Sequence, residues 1–239
     1  MDNRPICFFD SGIGGSTILK EVMKLLPNEN YIYYADSINN PYGQKTKEKL
    51  FDVVDSVVKK LLKFDPKVIV CACNTATEMV LNDIREKYPN TLFVGTEPAV
   101  KIVYDKYPDK KSIVMTTKGT HDSERFQKLF EKYKTVDSTL IEANELAGLI
   151  ENGEDAFPYL NSLLKDYKGN EIVVLGCTHF PLVKDEIKKI LGPVTFIDGG
   201  IGIAKRIDSL IEKNEGSGSL KIIETSLKVE DKIKDIVNS

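Results

Sequence analysis

The feature that most constrains the fold of this chain is a duplicated pattern of apolar strand, small residue, cysteine and polar residue. Residues 68–76 read VIVCACNTA, and residues 172–180 read IVVLGCTHF. Each run begins with a short apolar stretch rich in β-branched residues, as expected for a strand buried on both faces of a parallel sheet. The pattern predicts that Cys73 and Cys177 end equivalent strands in two related halves.

The similarity between the halves extends upstream of each cysteine. Residues 8–12 (FFDSG) and 114–119 (VMTTKG) both pass from an apolar strand into polar residues and glycine. The separations from Asp10 to Cys73 and from Thr117 to Cys177 are also alike. Ligands of open α/β sheets bind outside the carboxyl ends of the strands. A pseudo-twofold arrangement would therefore make the two cysteines face each other across one cavity.

Strands and helices alternate along the rest of the chain. This order predicts an α/β fold with two pseudo-symmetric, doubly wound parallel-sheet domains and an active site in the cleft between them. The predicted strands are residues 6–9, 31–35, 68–71, 92–94, 113–115, 172–175, 194–197 and 221–225. The predicted helices, from apolar residues at helical spacing, are 46–64, 123–133, 157–167, 182–191 and 227–237.

Composition narrows the class of protein. The 239 residues are 41% hydrophobic, enough for a genuine core. With 33 basic and 36 acidic residues the formal charge is -3, so nothing indicates a nucleic-acid partner. No apolar run approaches the length of a membrane span or a signal-peptide core, which predicts a cytoplasmic protein. In that reducing compartment the four cysteines are expected to remain thiols.

The cysteines have alternative interpretations. Free cysteine is among the most buried residue types, and burial is our expectation for Cys7 and Cys71, which lie inside apolar strands. A metal site is disfavoured, because Cys71 and Cys73 would point to opposite faces of a strand and no zinc-type spacing occurs. A redox dithiol is disfavoured because there is no Cys-x-x-Cys motif. Cys73 and Cys177 differ from the other two, since polar residues follow each of them.

Five motifs together resemble the cofactor-independent glutamate racemases of the aspartate/glutamate racemase superfamily. They span nearly the whole chain and occur at residues 9–15 (FDSGIGG), 35–36 with 41–43 (AD and PYG), 72–76 (ACNTA), 119–120 (GT) and 175–181 (LGCTHFP). The resemblance implies interconversion of L- and D-glutamate without a cofactor or metal, supplying D-glutamate for peptidoglycan. It also implies a homodimer with a small amino acid as substrate.

The resemblance assigns a role to each cysteine. One thiolate removes the α-proton while the opposite thiol returns a proton to the other face, and Cys73 acts on the D-isomer whereas Cys177 acts on the L-isomer. A free thiol has a pKa of roughly 8.5, so a helix N-terminus or a neighbouring base must promote the thiolate. By resemblance, Asp10 assists Cys73, and His179 with Glu151 assists Cys177.

Each helper also has a plainer interpretation. Asp10 fits a turn before the glycines, His179 a capping residue, and Glu151 a solvated residue at a helix end. Near Glu151 the chain departs from the family pattern. Residues 143–144 (AN) replace a cysteine–proline pair, and Asn152 replaces a second glutamate.

Substrate contacts are predicted at the loops that follow the strands. Residues 12–15 open a helix, whose free N–H groups could hold a carboxylate. Asp36 is either a strand-end cap or, by resemblance, a further acid near the site. Read alone, residues 41–43 are merely a tight turn. The resemblance implies eight substrate-contacting positions: Ser11, Pro41, Tyr42, Gly43, Asn74, Thr75, Thr120 and Thr178.

The predicted domains are residues 1–96 plus 201–239, and residues 97–200. Residues 215–219 (EGSGS) predict a flexible connection. Residues 225–227 (TSL) depart from a Thr-Gly-Asp-like turn that is common in the family. Two other functions remain open: a sister activity such as aspartate racemisation, and non-catalytic binding of a small molecule.

Overall fold

The computed structural model describes residues 2–225 and 229–239, and its strands and helices alternate as predicted. The strands are β1 Ile6–Asp10, β2 Asn30–Ala35, β3 Val68–Cys71, β4 Phe93–Gly95, β5 Ser112–Thr116, β6 Ser138–Glu142, β7 Ile172–Gly176, β8 Thr195–Ile197 and β9 Ser219–Glu224. The helices are α1 Ser16–Leu25, α2 Lys47–Leu61, α3 Asn74–Met79, α4 Leu81–Lys87, α5 Val100–Lys106, α6 Lys118–His121, α7 Glu124–Tyr133, α8 Leu146–Asn152, α9 Phe157–Leu164, α10 Lys184–Leu191, α11 Gly200–Asp208 and α12 Glu230–Asn238.

The strands form two parallel sheets. The first has the order β4-β3-β1-β2-β9, and the second has the order β6-β5-β7-β8. Every strand pair in both sheets is parallel. Parallel neighbours need crossover connections, which explains why helices separate the strands. The α/β class and the two-sheet architecture are confirmed.

The sheet orders also reveal the duplication. The run β4-β3-β1-β2 matches β8-β7-β5-β6, and β9 is an addition at the edge of the first sheet. Register refines the match, because Phe9 pairs with Cys71 whereas Thr116 pairs with Gly176. Extending the first register by two residues places Ser11 beside Cys73. Extending the second by one residue places Thr117 beside Cys177. The counterpart of Asp10 is therefore Thr116 rather than Thr117.

Helices cover both faces of each sheet and create two cores per sheet. In β1, Phe8 faces one core of the first sheet while Phe9 faces the other, as the two-residue period of a strand requires. The second sheet is packed in the same way, with Met115 on one face and Val114 on the other. All four of these side chains are fully buried, and burying a large apolar side chain contributes about 2 kcal/mol.

The helices that were predicted differ from the observed ones at their ends. The predicted helix 46–64 is α2, capped by Thr46, which accepts from Lys49 N at 3.4 Å, and followed by a 3-10 turn over 62–64. The predicted helix 157–167 likewise ends as an α-helix at Leu164 and continues as a 3-10 turn. Strand β6 was not predicted because, at the edge of its sheet, only Ile141 is buried.

The C-terminal predictions are only partly within the described chain. Strand β9 begins at Ser219, inside the segment predicted as a flexible connection. The predicted helix 227–237 corresponds to α12, but residues 227–228 lie outside the described residues, as does most of the 225–227 turn. Across residues 2–225 and 229–239, no helix combines the length and apolar character needed to cross a bilayer.

Candidate active site

The two sheets meet at a small, partly enclosed cavity beyond the carboxyl ends of β1, β3, β5 and β7. Its volume is about 20 Å³, the room that about one water molecule needs. Cys73 and Cys177 both line it, as predicted from the duplication. So do seven of the eight predicted substrate-contacting residues, namely Ser11, Pro41, Tyr42, Gly43, Asn74, Thr75 and Thr178. Thr120 does not line the cavity and instead lies behind Thr75, with the two hydroxyl oxygens 3.4 Å apart.

Neither cysteine is the last residue of its strand, which corrects the sequence prediction. Strand β3 ends at Cys71 and β7 ends at Gly176, so Cys73 and Cys177 lie just beyond the sheet edge. Cys73 is instead the N-cap residue of α3, because the chain leaves the sheet to begin that helix. Leaving the sheet frees both thiols to face the cavity, while Cys7 and Cys71 stay buried in strands as predicted.

Cys177 is the end of a chain of three side chains. Its Sγ lies 3.8 Å from His179 Nδ1, and His179 Nε2 lies 2.8 Å from Glu151 Oε2. Burial alone would lower the pKa of His179, but hydrogen bonds to Cys177 and Glu151 outweigh it and raise that pKa well above the ordinary value. The arrangement favours an imidazolium beside Cys177, and such a positive charge stabilises a thiolate.

Glu151 is a buried partner of His179 rather than a solvated surface residue. Its side chain is only 9% exposed, and its Oε2 also accepts a hydrogen bond from Ile13 N at 2.9 Å. Burial would raise its pKa, but the hydrogen bond and positive charge of His179 lower it overall. The glutamate therefore remains ionised despite the departures from the family pattern at residues 143–144 and 152.

Cys73 lies in a different electrostatic environment. Burial raises the pKa of Cys73 well above its ordinary value, and the charge of nearby Asp10 raises it further. Within the described residues no hydrogen bond joins the Cys73 and Asp10 side chains. The N-terminus of α3, expected from the sequence to promote a thiolate, does not overcome these effects. Cys73 is thus held as a thiol.

Asp10 is fully buried and linked to both halves of the molecule. Its Oδ2 accepts from Gly15 N at 3.0 Å and Gly12 N at 3.3 Å, and its Oδ1 accepts from the Thr178 hydroxyl at 3.4 Å. Burial raises the pKa of Asp10, while the charge of His179 and the backbone donors oppose that rise. Asp10 thereby connects the loop after β1 to the residue that follows Cys177.

In the glycine loop at residues 12–15, three backbone N–H groups donate to the protein's own carboxylates. Gly12 N and Gly15 N donate to Asp10, and Ile13 N donates to Glu151. The glycines are needed because a Cβ at Gly12 would lie 2.2 Å from Glu151 Oε2. At Gly14 it would lie 2.4 Å from His179 Nδ1. The loop therefore positions the acids and the imidazole.

Residues 41–43 form one wall of the cavity and are held from behind. Tyr42 donates a hydrogen bond of 2.7 Å to Asp36 Oδ2, so Asp36 orients this wall and is not itself a lining residue. The preceding peptide bond, Asn40–Pro41, is cis. Thr117 lies next to Gly43 of this wall, and the Thr75 and Thr117 hydroxyl oxygens, 2.9 Å apart, connect the two halves.

Four lining residues were missed by the sequence reasoning: Gln44, Thr117, Asn144 and Ala147. Thr117 could have been found, because it is the counterpart of the predicted residue Ser11. Gln44, Asn144 and Ala147 carry no such signal, since their approach to the cavity depends on how the two halves pack. Asn144 Oδ1 is buried there and has no hydrogen-bond partner among the described residues.

One group of side chains with metal-ligand spacing occurs elsewhere in the described part of the chain. His121, Asp122 and Glu142 bring their ligand atoms within 4.8 Å of one another at the surface. None of the three lines the cavity, and exposed acidic groups of this kind are common without a metal.

Comparison with known proteins gives a single family. The sequence model of the family described as Asp/Glu/Hydantoin racemase matches residues 21–206. The glutamate racemase of Clostridium acetobutylicum is 42% identical, with 98% of this chain and 96% of that protein covered. That of Clostridium botulinum is 40% identical over 94% of this chain and 92% of the relative.

Solved structures lead to the same family. Escherichia coli glutamate racemase, in complex with L-glutamate and the activator UDP-MurNAc-Ala, has a TM-score of 0.84 at 28% identity, covering 94% of this chain and 90% of that one. The Francisella tularensis glutamate racemase complex with D-glutamate has a TM-score of 0.81 at 25% identity, covering 100% and 95%. With the paired cysteines, the sheet order and these similarities in agreement, the chain belongs to the Asp/Glu/hydantoin racemase family.

Proposed function

We propose that this protein interconverts L- and D-glutamate without a cofactor, using Cys73 and Cys177 as two acid–base groups on opposite faces of the substrate. The observation that carries the proposal is the pair of thiols from equivalent positions of a duplicated fold, lining one cavity. Inversion at carbon requires proton removal from one face and proton return to the other. Two opposed thiols supply that geometry.

The environments of the two thiols support a defined resting state. His179, held protonated by Glu151, places a positive charge beside Cys177, whereas burial and Asp10 keep Cys73 protonated. In this state Cys177 removes the α-proton of L-glutamate, and the electron pair of the broken C–H bond remains on the α-carbon. Cys73 then donates its proton to the opposite face. The product is D-glutamate, with Cys73 now a thiolate and Cys177 a thiol.

The reverse reaction starts from the other protonation state. Cys73 as thiolate removes the α-proton of D-glutamate, and Cys177 returns a proton. We propose that Asp10 assists this direction, since its charge raises the pKa of Cys73 and so makes the Cys73 thiolate a stronger base. The neutral donors that line the cavity would hold the substrate carboxylates, and we assign this role to Ser11, Asn74, Thr75 and Thr178, with the 41–43 wall and Thr120 supporting them.

Glutamate is proposed as the substrate because the relatives that cover nearly the whole chain are named glutamate racemase. An aspartate racemase of Picrophilus torridus has a TM-score of 0.58 at 14% identity, a likeness of fold alone. We further propose that the D-glutamate serves peptidoglycan synthesis in the cytoplasm. The homodimer implied by the resemblance stays a prediction, which sedimentation of the purified protein would check.

We also propose the domain boundaries at residues 1–96 plus 201–239 and 97–200. Strand β4 belongs to the first sheet, whereas α5 packs with Val114 of the second sheet. Helix α11 returns to pack with α1 in a core of the first sheet. Both packing changes fall at or next to the proposed boundaries.

The deciding experiment is solvent deuterium exchange at the α-carbon with L-Glu, D-Glu, L-Asp and D-Asp. We expect both glutamate enantiomers to exchange and to racemise to an equal mixture, without added cofactor. Faster exchange of the aspartates would replace glutamate by aspartate as the substrate. Binding of an amino acid with no exchange of any of the four would replace the enzyme by a non-catalytic binding protein.

A further inference from the structure

The active-site cavity is too small in this conformation for the substrate proposed above. Its volume, about 20 Å³, is the room of about one water molecule, and an amino acid with two carboxylates is several times larger. The two halves must therefore separate for substrate to enter and close again around it. Contacts that cross between the halves decide how stable the closed state is.

Arg125 makes such contacts from the first turn of α7. This helix packs on the second sheet, where Phe126 lies beside Val114. The guanidinium reaches α3 of the first half, donating from Nη1 to Thr77 O at 2.9 Å and lying 3.6 Å from Glu78 Oε2 through Nε. It also pairs with Glu97 in the segment between the two sheets. One side chain thus joins both halves and their connection.

Helix α3 is the part of the first half that matters most for the reaction. It begins directly after Cys73, and its residues Asn74 and Thr75 line the cavity. Ser123, the N-cap of α7, adds a weaker contact by donating to Glu78 O at 3.4 Å. The N-terminal turn of α7 therefore holds the C-terminal half of the helix whose N-terminus carries Cys73.

Of the contacts between α7 and α3, the one between Arg125 and Glu78 matters most, because Glu78 is buried. Its side chain is 0% exposed, and within the described chain neither carboxylate oxygen accepts a hydrogen bond. Burial raises the pKa of Glu78 to about 7, and the charge of Arg125 opposes that rise. A buried carboxylate without a cation is costly, so removing Arg125 would destabilise the closed state in particular.

We propose that Arg125 is a positioning residue that latches the closed state, holding α3 and therefore Cys73 against the second half. This inference deepens the proposed racemisation and rests on it for its kinetic consequence only. The latch itself concerns only how firmly the two halves of the protein hold together. It can be tested by thiol accessibility whether or not the protein racemises glutamate.

The first test is alkylation of Cys73 and Cys177 by iodoacetamide, with the modified peptides followed by mass spectrometry. Both thiols are buried, so their alkylation reports opening. Arg125→Met should raise the rate at both cysteines about tenfold. Lys128→Met is the matched control, since Lys128 is an exposed cation of the same helix and pairs with Glu124 within that helix. An unchanged rate in Arg125→Met, or an equal rise in Lys128→Met, would overturn the proposal.

A second variant separates the latch from general destabilisation. In Arg125→Met the closed state must keep an uncompensated charge on Glu78 or take up a proton there, and either costs free energy at the alkaline pH of the alkylation. Adding Glu78→Gln removes that charge, so the double variant should alkylate more slowly than Arg125→Met alone. General loosening would instead make the double variant faster, which contradicts the proposal. If Arg125→Met does not fold, Arg125→Gln, which also removes the cation, replaces it, and wild-type rates there overturn the latch.

The kinetic readout is the division of the effect between KM and kcat. Saturating glutamate shifts the equilibrium back to the closed state, so Arg125→Met should raise KM about tenfold and lower kcat less than threefold. A large loss of kcat at unchanged KM would contradict a latch. If the wild-type protein shows no racemisation at all, the proposed function fails, and the alkylation rates alone decide whether Arg125 latches the halves.

Discussion

The two cysteine sites occupy equivalent places in the duplicated fold but differ in their charged neighbours. Cys177 is followed by His179, whose second ring nitrogen contacts Glu151. Among the described residues no histidine is hydrogen-bonded to Cys73, and burial with the charge of Asp10 raises its pKa. The backbone duplication therefore brings two thiols to one cavity, while side chains outside the repeated pattern give each thiol different charged neighbours. The two sites share their backbone geometry and differ in their charged surroundings.

The largest expected effect comes from removing either thiol. Cys73→Ala and Cys177→Ala should each lower racemisation by at least about 10³-fold, because inversion needs both faces. If the sites differ as proposed, Cys73→Ala should still exchange the α-hydrogen of L-glutamate with solvent, and Cys177→Ala that of D-glutamate only. NMR of each enantiomer in deuterated buffer measures this.

The control for the thiol variants is Cys7→Ala, which removes a buried thiol from β1 that lies away from the cavity. It should keep wild-type kcat while losing about 1 kcal/mol of stability. Racemisation at the wild-type rate in either Cys73→Ala or Cys177→Ala would refute the two-base mechanism.

The next largest effect should come from His179, the group that distinguishes the two sites. His179→Asn removes the imidazolium beside Cys177 and should lower kcat about 10²-fold, the usual contribution of a positioned acid–base group. His121→Asn is the control, because His121 is the other histidine of the chain and lies at the surface. Steady-state kinetics of both variants, measured in both directions, test this. An equal loss of kcat in His179→Asn and His121→Asn would contradict the role of His179.

A smaller effect is expected from disturbing Glu151 through the backbone. In Gly12→Ala the added Cβ would displace the Glu151 carboxylate and so break its contact with His179. We expect kcat to fall about tenfold with little change in stability, since a flexible side-chain end can move. Gly148→Ala, in the same helix as Glu151, has no atom within 4 Å of its new Cβ and should be neutral or slightly stabilising. Equal activity of the two variants would show that Glu151 does not act through His179.

The smallest effect is a shift in pH dependence. The pKa of His179 is raised, so its proton and the stability linked to it persist below the folded-state pKa and are lost as pH rises through it. Glu151→Gln weakens one cause of that rise, so the alkaline loss of kcat/KM should move to lower pH. A pH profile of the variant beside wild type measures the shift. If the alkaline limb of the kcat/KM profile does not move in Glu151→Gln, that limb reports the titration of a group other than His179.

Much of the fold followed from local patterns. The apolar runs that became β1, β3, β5 and β7 were recognisable because strands buried on both faces are continuously apolar. Strand β6 was missed because its exposed positions at the sheet edge are polar or mixed. Local patterns were also insufficient at the site. Thr117 could have been predicted as the counterpart of Ser11, but no local pattern marks Gln44 or Asn144 as residues of the cavity.

By itself the sequence determined the duplication and predicted that the two cysteines, Asp10 and His179 lie close together, because each lies at or next to the end of an apolar strand and strand ends converge. Only the tertiary structure decided what the glycine loop binds, where Thr120 lies, and that Glu151 is buried against His179. It also decided the reach of Arg125 across to α3. These outcomes depend on packing between segments far apart in the chain, and the local periodicity of a sequence does not specify such packing.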